Sequence, residues 1–379
     1  MKLFFFTSLI SSLTVSNFDL SIAVLSDLIF YYVYYRVLLV VIKSNKIDLI
    51  PKTLFFVLIV SVFIQTMQFL GYEQFNIYTS EKLNQNTGLE YEGIDVVIRY
   101  WGPFGNALTF SSYLAISGVF LFIYYRNSQG KGSKFISYLS LLISLYSVVL
   151  TAGRTALVSI LVSLLIYIFI KRKSQKNLIA IILFSLAVTL TIGFDKIEGL
   201  SDLGVVNRFT NLSEDGNFRW KLWLDGFKLF LNNLLFGAGP GNLNLELANY
   251  ADSSMFMDVQ VRNFPWGHVE NAYLTVLYTF GLLGSIFFFF IIFKPFQYCI
   301  KSLDINSQGP LQSIKYSMIC TWITIFINMV TNPIFVCENR MTAFLLFFIA
   351  ISECINNSFH SIKEKSLKTS PYTINQFPS

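Results

Sequence analysis

Long apolar stretches separated by short polar segments make up most of the chain. Many of these stretches are roughly 20 residues long, the length that an α-helix needs to cross the hydrocarbon core of a bilayer. The pattern predicts spans at residues 3–16, 20–42, 53–71, 104–125, 135–151, 154–170, 177–193, 271–293, 313–331 and 341–354, of which the first is weak. We therefore expect an all-α polytopic membrane protein with about ten transmembrane helices.

Composition supports the same interpretation. Hydrophobic residues make up 54% of the 379 positions, and only 13% of the positions are charged. A soluble protein could not bury so much apolar surface, so a soluble globular fold is excluded. The net charge of +6 does not indicate a nucleic-acid partner, because the basic residues fall in short segments between spans, where they orient the protein in the membrane.

The charges of the connecting segments predict the topology. Basic residues concentrate in alternate segments, which contain Lys43, Lys46 and Lys52, then Arg126, Lys131 and Lys134, then the run KRKSQK, then Lys294 and Lys301, and finally Lys363, Lys365 and Lys368. The positive-inside rule places these segments in the cytoplasm. Residues 72–99 and 194–270 are richer in carboxylates, so we expect both segments to be external and both termini to be cytoplasmic.

The spans and loops divide the chain into four parts. Residues 1–193 hold the N-terminal transmembrane helices, 194–270 form one large structured external loop, 271–354 hold the C-terminal helices, and 355–379 form a cytoplasmic tail. The start of the chain also resembles a signal peptide, but it lacks a small-residue cleavage site, so we favour a short first span.

The large external loop contains a predicted helix in the stretch NFRWKLWLDGFKLFLNNLLFGAGPGN. Its apolar residues recur at helical spacing and form one stripe: Trp220, Trp223, Leu224, Phe227, Leu231, Leu234 and Leu235. Asn217 is the predicted N-cap, and the GAGPG segment ends the helix as a turn or offers its amides to phosphate. The tryptophans favour the membrane interface, so we expect the helix to lie flat on the outer leaflet or to dock on the bundle.

Four arginines fall in external positions at the level of the membrane: Arg99, Arg154, Arg219 and Arg340. Such positions work against the orientation rule, and a charge at membrane level is costly to bury. The planar guanidinium donates bidentate hydrogen bonds to phosphate and stays charged at any biological pH. We therefore expect Arg154, Arg219 and Arg99 to bind a lipid-anchored diphosphate, with Arg340 as a secondary candidate. The structural alternative for each is a residue that snorkels at a helix end or pairs with a nearby carboxylate.

His268 and Glu270 directly precede the eighth predicted span and are candidate catalytic bases. His268 is the one histidine of the two that we expect outside. A neutral imidazole can take a proton from an acceptor hydroxyl, and neighbouring arginines favour that neutral form. Glu270 is the rival base, and Asn271 beside it is a secondary site candidate.

We expect neither a disulfide nor a metal site. The four cysteines, at positions 299, 320, 337 and 354, show no paired spacing, and only Cys337 is predicted to face outward.

Three segments resemble the O-antigen polymerase and ligase superfamily. TAGRTAL is similar to the S-G-S-R-T/S turn between two spans of that family. FRWKLWLDGFKLFLNNLLFGAGPGN resembles its R-x-x-x-W … P-x-x-G-x-G-x-x-N-F segment, and HVENAYLTVLYTFGLLGSIFFF resembles its H-N-x-Y-L … G-x-x-G segment. The segments occur in the family's order, and the resemblance extends from Arg99 to Phe290.

The resemblance implies a glycosyltransferase with a membrane-helical fold of the GT-C type. Such enzymes act outside the bacterial cytoplasmic membrane on polyprenyl-diphosphate-linked glycans, without a metal ion, nucleotide sugar or other cofactor. By position, Arg154 and Arg219 would bind the diphosphate and His268 would be the active-site histidine. The chain departs from the family where Val269 and Glu270 separate this histidine from the following asparagine, so the base is either His268 or Glu270.

We therefore predict a repeat-unit polymerase for O-antigen, capsule or exopolysaccharide. It would transfer a glycan from undecaprenyl diphosphate to an acceptor sugar hydroxyl, with inversion and without a metal. Its partners would be the donor, the acceptor and membrane lipids, with a chain-length regulator as a further candidate and no nucleic acid.

Two alternatives remain open. An O-antigen ligase would use the same donor but move the glycan onto a lipopolysaccharide core or another carrier. A flippase or transporter would instead show midplane charges, repeated halves and broken helices. The predicted spans hold few charges, mainly Asp27 and Arg36, and the chain has no internal repeat, which favours an enzyme.

Overall fold

The computed structural model describes residues 2–13, 18–43, 49–75, 100–130, 132–171, 212–241, 269–302, 310–332 and 339–368. Within these ranges the chain is helical and forms no strand. Its α-helices are α1 (Lys2–Leu13), α2 (Phe18–Lys43), α3 (Leu49–Phe69), α4 (Ala107–Asn127), α5 (Ser133–Leu150), α6 (Arg154–Lys171), α7 (Leu212–Asn232), α8 (Ala272–Lys301), α9 (Pro310–Met329) and α10 (Asn339–Lys368). Short 3-10 turns at Glu73–Phe75 and Gly102–Phe104 follow α3 and precede α4.

The helices confirm the predicted class of a multi-pass membrane protein. Of the described helices, α2, α3, α4, α5, α6 and α8 are long and apolar enough to cross a membrane. Helices α9 and α10 stand at predicted spans and have sufficient length, but their composition is more polar. Several of their Ser, Thr and Asn side chains are buried inside the bundle. The predicted span at 177–193 lies outside the described residues.

Helix α4 is the centre of the bundle. In α4, 94% of the span is buried, whereas in the peripheral α2 only 17% is buried. Helix α4 packs most closely on α5, where Gly118 lies under Ser144 and small serine side chains line the contact. Small residues let two backbones approach closely in a membrane, where lipid-tail packing gives no hydrophobic drive for helix association.

Helix α8 is broken at Gly281. The backbone there has φ 64° and ψ −169°, a conformation that is essentially restricted to glycine. The break removes the partners that the carbonyls of Tyr278 and Thr279 would have within a regular helix. These carbonyls accept hydrogen bonds instead from the amides of Ala238 (2.7 Å) and Gly239 (3.0 Å), in the segment that follows α7.

The same segment also satisfies the amides beyond the break. The N–H groups of Leu282 and Leu283 donate to the carbonyl oxygens of Leu234 (2.8 Å) and Leu235 (3.3 Å). Residues 234–239 thus replace one missing turn of α8, in a helix whose unpaired backbone groups would find no water in a bilayer. We call this reciprocal pairing between residues 234–239 and 278–283 the α7–α8 interlock.

Helix α1 lies beside this break. The Phe4 ring packs on Phe280 with 4.9 Å between centroids, and the Ser11 hydroxyl donates to the Thr279 carbonyl at 3.2 Å. The helix has 12 residues, which rise only ~18 Å. The weak first span is therefore a short packed helix in the described residues, which by itself does not cover the hydrocarbon core.

Several helix ends differ from the prediction. Helix α7 begins at Leu212, so Asn217 is inside it and is not its N-cap. Acidic residues at 214 and 215 stand in the first turn, where the helix dipole favours them and so extends the helix. Helix α8 continues past Pro295, and α10 runs on to Lys368, into the predicted tail, because Pro371 is the first helix-breaking residue there.

Replacing Gly118 by valine should destabilise the bundle. A Cβ at this position would lie 2.6 Å from the Ser144 Cβ, so a larger side chain would push α4 away from α5. We expect a loss of about 1–3 kcal/mol in the free energy of unfolding, the usual cost of overpacking. Thermal unfolding of the purified protein in detergent would measure it. The matched control is Gly132→Ala, since no atom lies within 4 Å of a Cβ there; equal midpoints for both variants would contradict the predicted packing.

Candidate functional site

At one end of the bundle, several of the segments that join the helices are hydrogen-bonded to a neighbouring segment or helix end. This upper end comprises residues 100–106, 151–154, 269–271 and 330–332 together with the first turn of α10. The opposite, lower end carries the basic residues of three last turns: Arg126 in α4, Lys171 in α6 and Lys301 in α8. The candidate site residues that the structure describes all belong to the upper end or to α7.

Arg154 is the first residue of α6 and is half-buried. The turn before it includes Ala152, whose φ of 53° is uncommon for a residue other than glycine. Gly153 lies against α4, since a Cβ there would be 2.5 Å from the Ser111 Cβ. The turn is therefore packed tightly on the central helix. It holds Arg154 at a helix N-terminus, where the helix dipole also favours an anion.

Buried polar side chains fix three helices just below this turn. Asn328 of α9 is their centre: its side-chain oxygen accepts a hydrogen bond from Ser112 of α4 (3.0 Å), and its amide donates to Ser159 of α6 (2.8 Å). At the upper end the Thr331 hydroxyl donates to the Thr155 hydroxyl at 2.8 Å, directly after the arginine of the turn. These hydrogen bonds therefore fix the positions of α4, α6 and α9 relative to one another next to Arg154, the candidate phosphate ligand.

Two buried glutamines of α3 anchor the segment before α4. Gln68 holds both backbone groups of Gly102, since its amide donates to the carbonyl (3.1 Å) and its oxygen accepts from the N–H (2.9 Å). Gln65 donates to the carbonyl of Tyr100 (3.0 Å). The N–H of Tyr100 donates in turn to the carbonyl of Leu150 (3.3 Å), so this segment lies beside the end of α5.

Arg99 lies outside the described residues, but its neighbour Tyr100 is now located. The contact with α5 places Tyr100 beside Leu150, four residues before Arg154 along the chain. Burial raises the pKa of the Tyr100 phenol. The phenol therefore stays neutral at physiological pH and adds no negative charge to this end of the bundle.

Arg340 has a structural contact in the first turn of α10. Its side chain is exposed, and its Nη1 donates to the carbonyl of Phe104. The contact ties α10 to the segment before α4. The secondary role of Arg340 as a phosphate ligand stays a prediction.

Helix α7 docks on α8, which confirms one of the two expected placements. The docking face is Leu222, Leu229 and Phe230, which are buried with Val269 and Tyr278. The predicted apolar stripe lies largely on the other side of the helix, where Trp220, Leu224, Phe227 and Leu231 are exposed; its last members, Leu234 and Leu235, are exposed in the segment that follows α7. The helix is therefore apolar on two sides, one against protein and one available to lipid.

The docked α7 brings two parts of the candidate site together. Gly226 makes the closest approach, because a Cβ there would lie 2.8 Å from Cγ2 of Val269. Arg219 stands seven residues earlier, about two helical turns, and therefore on the same face of α7. Val269 directly follows His268, which itself lies outside the described residues. Position 219 is thus about 10 Å along the helix axis from the segment that carries the candidate bases.

Asn271 is the N-cap of α8. Its side-chain oxygen accepts a hydrogen bond from the N–H of Leu274 at 3.1 Å, and its carbonyl accepts from the N–H of Thr275 at 2.9 Å. Glu270, the residue before the cap, is partly exposed at the upper end. Of the two residues, only Glu270 has a side chain that the structure leaves partly open to a substrate.

The GAGPG segment does not serve phosphate in this structure. The amides of Gly237, Ala238 and Gly239 donate to the carbonyls of Asn233, Tyr278 and Thr279. The suggestion that this segment binds phosphate is therefore wrong for these three amides, because each already donates to a backbone carbonyl, two of them within the interlock.

Sequence reasoning missed several polar residues that shape this end. Gln65 and Gln68 stand three residues apart in an otherwise apolar span, a spacing that would have indicated one polar helix face. Asp225 is a buried carboxylate on α7 that pairs with Lys228 at 2.9 Å. No pattern in the sequence separates this aspartate from the exposed charges around it.

Within the described residues, no group of three or more His, Cys, Asp or Glu side chains could hold a metal ion. Cys299, Cys320 and Cys354 are buried thiols that form no disulfide, and Cys337 lies outside the described residues.

A comparison with known families identifies the region that contains this site. The model of the O-antigen ligase family matches residues 139–289, from within α5 to within α8. The matched region includes the Arg154 turn, all of α7, the interlock and the candidate bases. No curated protein matches the chain.

Replacing Gly153 by alanine should displace the Arg154 turn. The added methyl group would overlap Ser111, so the turn must lift off α4, at a cost of about 1–3 kcal/mol. The double variant Gly153→Ala/Ser111→Gly should recover most of the loss, because it removes the overlapping group. Thermal unfolding of the three proteins measures the effect; a double variant no more stable than Gly153→Ala would show that the overlap is not the cause.

Proposed function

We propose that this chain, a member of the O-antigen polymerase and ligase superfamily, is a glycosyltransferase. It moves a glycan from undecaprenyl diphosphate to a hydroxyl group of an acceptor. The family match supports a multi-pass membrane enzyme of glycosyltransferase type. The single observation that carries the proposal is the fixed placement of Arg154 at the N-terminus of α6, in a turn packed on the central helix.

The diphosphate of the donor lies against Arg154 and Arg219, with Arg99 as a third ligand. Guanidinium groups suit this task because they offer paired N–H donors and remain charged when they are partly buried. The turn of Arg154 is held by Gly153 and by the hydrogen bond at Thr155. A rigid charge costs little reorganisation when negative charge develops on the leaving group.

The transfer itself is a single displacement. The acceptor hydroxyl attacks the anomeric carbon, the bond from that carbon to the diphosphate oxygen breaks, and the configuration inverts. His268 or Glu270 takes the hydroxyl proton, and the diphosphate leaves with the electron pair. Because the leaving group is stabilised by arginine, the mechanism requires no metal ion.

The active site faces the outside of the bacterial cytoplasmic membrane. The lower end carries Arg126, Lys171 and Lys301, which the positive-inside rule assigns to the cytoplasm. The upper end is then external, on the side where the acidic predicted loops 72–99 and 194–270 also lie.

The acceptor distinguishes two forms of this function. As a repeat-unit polymerase, the enzyme would bind a second lipid diphosphate, that of the acceptor, in addition to the donor diphosphate at Arg154 and Arg219. As a ligase, it would bind one lipid diphosphate and a different carrier, and the printed description of the matched family favours this second candidate.

A transporter is disfavoured, although α8 is a broken helix. Broken helices of transporters expose unpaired backbone groups to a substrate at the midplane of the membrane. In this chain the carbonyls of Tyr278 and Thr279 and the amides of Leu282 and Leu283 are already paired within the interlock, which does not favour such a substrate site.

Replacing Arg154 or Arg219 by alanine should abolish chain extension. The loss of one charge-stabilising donor lowers kcat by about 10²–10³-fold in comparable sites. Arg154→Lys should recover only a part of the activity, because lysine keeps the charge and loses the paired donors. The measurement is the rate of product formation by purified protein with a lipid-linked glycan.

The matched control is Lys301→Ala, which removes an exposed cation from the lower end. It should leave the rate unchanged. Near-normal rates for Arg154→Ala and Arg219→Ala, at equal amounts of folded protein, would defeat the proposed diphosphate site.

Deleting the gene distinguishes polymerase from ligase. The loss of a polymerase should leave single repeat units attached to the surface carrier, whereas the loss of a ligase should leave none. Electrophoresis of the surface glycan shows the difference, with the complemented strain as control. A normal glycan ladder in the deletion strain would exclude both forms of the function.

A further inference from the structure

We propose that the α7–α8 interlock positions the active site: Gly237 and Gly281 hold α7, and with it the backbone of position 219, at a fixed place relative to the segment that carries Glu270. This inference rests on the proposed function, since it assigns a purpose to the fixed geometry of the same site. Neither glycine would touch the substrate, so both are positioning residues.

Each of the two glycines packs against main-chain atoms of the other's segment, so closely that a side chain would not fit. A Cβ on Gly237 would lie 2.4 Å from the carbonyl oxygen of Thr279, and a Cβ on Gly281 would lie 2.4 Å from that of Leu235. Both residues also have positive φ angles, of 76° and 64°. A side chain at either position would therefore meet main-chain atoms, which cannot rotate away, and would also strain its own backbone.

A second contact prevents α7 from pivoting about the interlock. In the contact between Gly226 and Val269, Gly226 lies eleven residues before Gly237 along the chain, and Val269 lies twelve residues before Gly281. At a helical rise the two contacts are separated by on the order of 15 Å along the axes. A helix held at two such separate points can neither slide nor tilt, so the backbone of position 219, two turns before Gly226 on α7, is fixed by the same two contacts.

The interlock also explains the otherwise costly break in α8. A regular helix would pair the same groups without help from a distant segment. Four backbone hydrogen bonds between residues 234–239 and 278–283 instead join α7 to α8. The break exchanges local pairing for pairing between elements, and the result is a rigid connection between the two halves of the candidate site.

A disulfide tests the proposal in the intact protein. A Cβ at Gly226 lies 2.8 Å and 3.4 Å from the two methyl carbons of Val269, so cysteines at both positions are within the Cβ separation of about 3.5–4.5 Å that a disulfide needs. The variant Gly226→Cys/Val269→Cys is made with Cys337→Ser, because the other three cysteines are buried. We expect rapid oxidation in the resting protein and a transfer rate within about twofold of the reduced form, since the contact is permanent.

The Gly281→Ala variant tests the interlock directly. It should lower kcat/KM by about tenfold to 100-fold, the effect of a displacement of about 1 Å at a reacting centre. Oxidation of the cysteine pair should be slower in this variant. The disulfide, once formed, should restore most of the lost activity, which a general loss of folded protein would not allow. Gly132→Ala, at an open position of the lower end, is the matched control and should match the unaltered protein.

Three outcomes would overturn the proposal: loss of activity when the cysteine pair is oxidised in the otherwise unaltered chain, an unchanged kcat/KM in Gly281→Ala, or a disulfide that forms in Gly281→Ala without restoring activity. The first would show that α7 must move against α8 during transfer. If Gly281→Ala does not fold, the oxidised and reduced forms of the cysteine pair alone decide. Failure of the proposed function would look different, because the unaltered and reduced proteins would then transfer no glycan while the disulfide still formed.

Discussion

The need to pair every backbone polar group inside the membrane governs this structure. Most helices meet it by themselves, but α8 gives up one turn at Gly281 and takes its partners from residues 234–239. The segment after α7 is therefore an integral part of the bundle, although it belongs to the predicted external loop. Because the pairing is reciprocal, α7 and α8 can separate only by exposing unpaired amides and carbonyls on both sides.

Buried amide side chains apply the same rule to the upper end. Asn328 joins three helices, and Gln68 replaces a backbone partner for Gly102. Each would be costly to leave unpaired, so each fixes one arrangement of the elements around it. The result is a stiff support for Arg154, which suits a reaction in which charge develops on a leaving group and fixed dipoles stabilise it.

The sequence by itself determined the class of protein and the position of most of its spans. A helix that crosses the bilayer needs about 20 apolar residues whatever lies beside it, so this signal is local. Arg154 was also visible from sequence, because a charge in a short turn between two spans stands out against its neighbours. The helix that carries Arg219 was predicted correctly, but not its start at Leu212, because carboxylates in a first turn extend a helix without any apolar signal.

The tertiary structure alone decided how these elements meet. The apolar stripe of α7 has the same helical spacing whether it faces protein or lipid, and only docking showed that Leu222 and Leu229 are the buried side. The break at Gly281 could not be read from its surroundings, because the partners of the groups around it stand forty or more residues earlier in the chain. Hydrophobic pattern is a property of one segment, whereas the pairing of backbone groups across a break is a property of two, and it is that pairing which joins α7 to α8.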